Sequence, residues 1–173
     1  MPAPDAGLPL TAPAGLPPAT GDPLADAAAL CNALTLARLP WRLGAAGPAA
    51  LDCWSCMALL QRHLFGRKVV LVTLSEEAAR LDIADAFASF TPALAQWRAR
   101  APGEAPVHGD GVLMSHKQAP HHCGVWLGLD RGVVAHMAEH GGFSADSVQA
   151  LRLAGYTDLR FFEWIERSHE NQI

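Results

Sequence analysis

The chain is short of several things, and each shortage closes off a class of protein. Its 173 residues include four cysteines and one tyrosine, and 17% are charged. Cysteines at the irregular positions 31, 53, 56 and 123 do not form a disulfide framework. They are expected to be reduced, which implies synthesis in a reducing compartment. Lys and Arg number 13 against 17 Asp and Glu, for a net charge of −4. No basic excess invites nucleic acid, and no charge run invites an anionic membrane surface. No run reaches the roughly 18 apolar residues that a membrane span needs. Residues 1–22 contain no Lys or Arg and no unbroken apolar segment, so they lack both parts of a secretory signal. There are no internal repeats.

The chain is half hydrophobic, which suits one domain with a genuine core. Residues 1–22 are rich in Pro, Ala and Gly and read as a flexible arm; residues 23–173 form the domain. Asp22-Pro23 is a helix start, and Leu24, Ala27, Ala28, Cys31, Leu34, Leu36 and Ala37 continue at helical spacing until Pro40. Residues 41–50 form a Gly/Ala/Pro loop. Asp52 to Phe65 is a second helix, with Gly66 as its C-cap. Val69 to Leu74 reads as a short strand, and a helical tract from Ser75 is interrupted near Pro92. Residues 99–108 read as a loop. Gly111–His116, His122–Leu129 and Val133–Ala138 are strands, the last two joined through Asp130-Arg131-Gly132. Ser144 to Leu153 reads as a helix capped by Ser144, and Leu159 to Ile165 as a final strand. Helices first and antiparallel strands after is an α+β pattern.

The stretch Leu51-Asp52-Cys53-Trp54-Ser55-Cys56-Met57 carries the chemistry. Asp52 has the properties of an N-cap, and Cys53 is then the first helical residue. Partial positive charge at a helix start favours thiolate over thiol. A cysteine nucleophile also needs a base and a group to orient that base. The candidate base is His122, at the head of an apolar strand in which Gly124 leaves room for the helix end. The candidate orienter is His136. The two share a face only if their connection has an odd number of residues, which Gly128 to Gly132 allows. His140 has the same parity, but His136 sits inside the apolar strand. Cys123, neighbouring His122, is expected to face away from the site. Cys56, Cys31 and Cys123 read as buried thiols. Cys53-x-x-Cys56 lacks the second paired motif that zinc sites use, so no metal or cofactor is expected. His116 and His121 flank a loop that could border the cleft.

Trp41-Arg42-Leu43-Gly44 followed by Leu51-Asp52-Cys53-Trp54 resembles the nucleophile segment of the NlpC family of papain-like cell-wall cysteine peptidases. Gly109-Asp110-Gly111-Val112-Leu113, His122-x-Gly124-Val125-Trp126-Leu127-Gly128 and Val134-Ala135-His136 resemble the family's following strands, in order. Trp after the cysteine is more like the branch carried by bacteriophage tails and gene transfer agents. The resemblance implies a papain-like fold, with helices on a small antiparallel sheet and the nucleophile at a helix N-terminus. It implies a peptidoglycan endopeptidase that cleaves stem peptides between D-γ-glutamyl and a diamino acid. Cys53 would attack the carbonyl, His122 would move the proton and His136 would orient His122. Asp52 would hold the free amine of the stem, and Trp54 and Trp41 would border the substrate; Trp41 stands nearest the place where the family carries a Tyr. The implied partners are stem peptides and the proteins of a phage-like tail tip or hub. The chain would be made in the bacterial cytoplasm, assembled into a virion and act in the cell wall. The alternative is a structural hub subunit that keeps the fold without the activity.

Overall fold

The computed structural model describes residues 9–72, 79–88 and 96–166. Two helices lead. Helix α1 spans Pro23–Ala37, with the Asp22 carboxylate accepting from the Leu24 and Ala25 N–H groups. It ends at Arg38, whose backbone is left-handed (φ 49°, ψ 39°), two residues before the Pro40 expected to stop it. A non-glycine residue in that region costs about 1–2 kcal/mol. Ala27, Leu30, Cys31 and Leu34 are buried, while Leu36 is exposed. Helix α2 spans Cys53–Phe65 and closes on Gly66, as the sequence pattern predicts.

The expected strand at Val69 to Leu74 is not formed over residues 69–72; Thr73 and Leu74 lie outside the described residues. A single side chain replaces the strand partner. The Gln96 amide accepts from the Val70 N–H at 2.9 Å and donates to the Lys68 carbonyl at 2.7 Å. The described part of the next tract is helix α3, Ala79–Ala88. The interruption expected at Pro92 lies outside the described residues.

Among the described residues six strands make one antiparallel sheet. They are β1 (Trp97–Ala99), β2 (Gly111–His116), β3 (Ala119–Leu127), β4 (Val133–Ala138), β5 (Gly142–Ser147) and β6 (Asp158–Trp164). Their order across the sheet is β1-β6-β2-β3-β4-β5. The short β1 was not expected from the sequence. β2 and β3 form a hairpin whose turn residues Lys117 and Gln118 both have positive φ, as primed hairpin turns require. The helix expected from Ser144 begins later. Residues 142–147 pair with β4 as an edge strand, and helix α4 is Val148–Leu153, capped by the Ser147 hydroxyl accepting from the Ala150 N–H. The result is the expected α+β class, with helices packed on a small antiparallel sheet.

Strand alternation divides the core. Cys123, Val125, Leu127, Ala135 and Met137 pack with α1 and α2 on one face. Val112, Met114, Val134 and Leu151 pack with Trp126, Tyr156, Leu159 and Phe161 on the other, beneath α4. Residues 9–22 run beside α2: Leu10 and Leu16 join the larger core. The Arg62 guanidinium donates to the Leu10 carbonyl at 2.8 Å, and a His63 ring nitrogen lies 2.8 Å from the Pro17 carbonyl. Among the described residues no helix is long and apolar enough to cross a membrane.

Candidate active site

The start of α2 is built around Asp52. One carboxylate oxygen accepts from the Ser55 N–H at 2.7 Å, and the other from the Gly44 N–H at 3.0 Å. The Ser55 hydroxyl completes the box by accepting from the Asp52 N–H at 2.9 Å. Asp52 is only 2% exposed. Burial raises its pKa and wins over the hydrogen bonds that lower it. Both oxygens are committed to the cap, worth about 1 kcal/mol, and little of the group faces solvent. Trp54 is enclosed as well. It is 1% exposed, its indole N–H donates to the Val70 carbonyl at 2.9 Å, and Phe87 meets its ring edge-on. It is core, not a groove wall. Trp41 is half-buried and lines an open cavity of about 520 Å³.

Cys53 is the first residue of α2 and is 4% exposed. Contrary to the sequence expectation, Cys123 turns toward the same side and packs with Cys53 in one core. Burial, followed by the neighbouring Cys53, holds the Cys123 thiol well above the ordinary range. Burial raises Cys31 to about 11 and pushes Cys56 up further, which suits buried thiols.

The histidines occupy the other face of the sheet. β3 and β4 pair Val125 with Ala135 and Trp126 with Val134, so His136 stands opposite Gly124 and diagonal to His122. A Cβ on Gly124 would lie 2.6 Å from the Ala135 carbonyl oxygen and 3.0 Å from the His136 Cβ. The missing side chain therefore makes room for β4, not for the helix end as expected. His122 Nε2 lies 2.8 Å from His136 Nδ1, and His136 Nε2 lies 3.0 Å from an Asp146 carboxylate oxygen. The Ser144 hydroxyl donates to the same oxygen at 2.7 Å. His140 is exposed in the β4–β5 turn, so His136 is the partner of His122.

This chain of bonds fixes proton positions. The His136 hydrogen bond, the largest influence, lowers the Asp146 pKa, so its ionised carboxylate accepts. A neutral His136 then carries its proton on Nε2, and its Nδ1 accepts from His122 Nε2–H. The lone pair of a neutral His122 is thereby placed on Nδ1. Burial, reinforced by His136, His121 and His116, lowers the His122 pKa well below normal, which keeps the ring neutral.

Asp146 and Tyr156 were missed in the sequence. Asp146 was hidden by reading its strand as helix. Tyr156 follows α4 and has no local signature, yet its ring stacks on His122 with centroids 5.9 Å apart and planes 22° apart. It stacks on His116 at 4.4 Å and 21°. His116 Nδ1 lies 2.6 Å from the Gly155 carbonyl oxygen, which ties this segment to the end of β2. His121 meets the His116 ring edge-on. Burial raises the Tyr156 pKa. No direct hydrogen bond joins Cys53 to His122 among the described residues. Nor do those residues hold a cluster of three or more His, Cys, Asp or Glu arranged for a metal. A cavity of about 570 Å³ opens beside the relay, lined by His116, His121, His136, Asp146 and Tyr156.

No family model matches the chain, and none of the curated proteins matches. Among solved structures it is similar to the crystal structure of the NlpC/p60 domain of the peptidoglycan hydrolase SagA. The identity is 16% and the TM-score 0.42, over 76% of this chain and 94% of that chain. At that identity and score the likeness says nothing about chemistry, which stands on the residues above.

Proposed function

We propose that the chain is a papain-like cysteine endopeptidase that hydrolyses peptidoglycan stem peptides between D-γ-glutamyl and a diamino acid. In this reading it belongs to a phage-like tail tip, and it acts in the cell wall after assembly in the bacterial cytoplasm. The observation that carries the reading is the His122–His136–Asp146 relay. It leaves the His122 Nδ1 lone pair unused on the strand residue next to Cys123, which meets the helix-start Cys53. His122 Nδ1 takes the proton of the Cys53 thiol, and sulfur adds to the carbonyl carbon. The N–H groups at the start of α2 face the developing oxyanion, a type of contact worth about 3 kcal/mol. His122 then protonates the leaving amine, and water releases the acyl group from sulfur. A catalytic hydrogen bond that is open without substrate commonly closes in the Michaelis complex.

The test is release of muropeptides from purified sacculi. Cys53→Ala abolishes release while the circular dichroism spectrum stays unchanged. Equal release by that variant defeats the proposal. The second reading, a structural tail-hub subunit without activity, is favoured by one observation: Cys53 packs with Cys123 in the apolar core and forms no hydrogen bond with His122 among the described residues. It predicts no release by the unmodified chain.

A further inference from the structure

The relay pins His122 at one atom. Among the described residues its ring has a single side-chain hydrogen bond, between Nε2 and His136. The torsion that swings a histidine ring about its Cβ–Cγ bond is broad, so a bond at one corner fixes a point and not a plane. The plane is set from the side. The Tyr156 ring lies 22° from parallel to His122 and 21° from parallel to His116, with centroids 5.9 Å and 4.4 Å away.

Tyr156 stands between α4 and β6, in neither element, so its own place needs support. Residues 155–157 are stitched to the end of β2 at three points. The Thr157 N–H donates to the Ser115 carbonyl at 3.0 Å, and the Lys117 N–H donates to the Thr157 hydroxyl at 3.1 Å. The third point is His116, whose Nδ1 lies 2.6 Å from the Gly155 carbonyl oxygen. A carbonyl only accepts, so Nδ1 carries the proton whatever the charge of the ring. Gly155 has a positive φ of 97°, and a Cβ there would lie 3.1 Å from His116 Cε1. The missing side chain lets the imidazole close on the carbonyl. His116 thus holds the backbone just before Tyr156 and lies along its face as well.

We infer that His116 is a positioning residue for the relay: through its bond to the Gly155 carbonyl it holds Tyr156, and the face of Tyr156 sets the plane of the His122 ring. Its effect on turnover rests on the peptidase reading above, while its effect on the ring rests on geometry alone. No hydrogen bond joins His116 to His122, His136 or Asp146 among the described residues, so its geometric hold on the relay passes through Tyr156.

Two variants separate the donor from the ring. His116→Phe keeps an aromatic face and loses the donor. His116→Asn loses the ring, but its amide nitrogen can donate from the place of Nδ1. Histidine-ring NMR at neutral pH reads the His122 Nε2–H, which is held between two rings in the parent and gives a sharp signal. His116→Phe broadens it, and His116→Asn restores it. Tyr156→Leu broadens it with His116 in place, and carries the same reading if the phenylalanine variant does not fold. On soluble muropeptides, His116→Phe lowers kcat about tenfold at unchanged KM, and His116→Asn recovers most of that loss. A sharp His122 signal in both His116→Phe and Tyr156→Leu overturns the inference. So does broadening in His116→Asn equal to that in His116→Phe, which removes the bond to Gly155 from the route. A raised KM at unchanged kcat also overturns it and makes His116 a substrate contact in the cavity it lines. Failure of the peptidase reading shows separately, as no muropeptide release by the unmodified chain, and the ring signals still decide the role of His116.

Discussion

The two faces of the sheet divide the chemistry between them. On the α2 face, Cys53, Cys56 and Cys123 lie in an apolar core. On the α4 face, His122, His136 and Asp146 form a polar chain bordered by Tyr156. One strand, β3, supplies both, since Cys123 and His122 are adjacent and point to opposite sides. The difference teaches that proximity along the chain is not the same as partnership. Cys123 meets the nucleophile candidate but sits where charge is disfavoured. His122 has the proton-accepting geometry, on the face opposite Cys123.

The sharpest way to break that comparison is to substitute each neighbour in turn. His122→Gln is expected to lower kcat about 10²–10⁴-fold, whereas Cys123→Ala keeps turnover and lowers stability by about 1 kcal/mol. Steady-state kinetics and urea unfolding measure both; the opposite pattern would make Cys123 the functional neighbour. Asp146→Asn comes next. An amide can donate to His136 Nε2, which reverses the proton order and puts a hydrogen on His122 Nδ1. A loss of about 10–100-fold in kcat is expected, and unchanged turnover would show that the relay orients nothing.

Gly124→Ala tests the room between β3 and β4. Its methyl would meet the Ala135 carbonyl oxygen at 2.6 Å and the Val134 Cγ1 at 2.8 Å. A cost of about 1–3 kcal/mol is expected in urea unfolding. The smallest effect is electrostatic. His122 is held below its ordinary pKa by burial. Its contribution to stability is therefore present above the unfolded histidine value, about pH 6.5, and is lost as pH falls toward the folded value. Tyr156→Ala admits water to the ring and moves its titration upward, while Tyr156→Phe leaves it in place. Two-dimensional NMR of the histidine rings reads this without any turnover.

Much of this could be read in the sequence wherever one local pattern met no competitor. Asp52 and Gly66 bounded α2 because cap and stop residues act locally. β2 and β4 matched their expected bounds because apolar runs were closed by turn residues. Ser144 misled because a hydroxyl before a helical tract resembles an N-cap; the cap is Ser147, and β4 had already claimed the intervening residues as an edge strand. Val69 to Val72 misled for the opposite reason. Their β-branched character is genuine, but Gln96 fills the place of a neighbouring strand. Asp52 and Trp54 stand beside the nucleophile in sequence, yet a cap and a core contact absorb them. His136 was legible through parity, whereas the stacking of Tyr156 on His122 depends on tertiary folding that no local pattern announces.

The segment before α1 limits how far the nucleophile helix can be treated as a portable part. The Thr11 N–H donates to the Ala46 carbonyl at 2.9 Å, and a Cβ on Gly47 would fall 1.9 Å from the Thr11 carbonyl oxygen. The loop leading into Cys53 is shaped against residues some 35 positions earlier. Grafting residues 41–66 onto another scaffold would carry the cysteine and its cap but leave behind the surface on which that loop was cast.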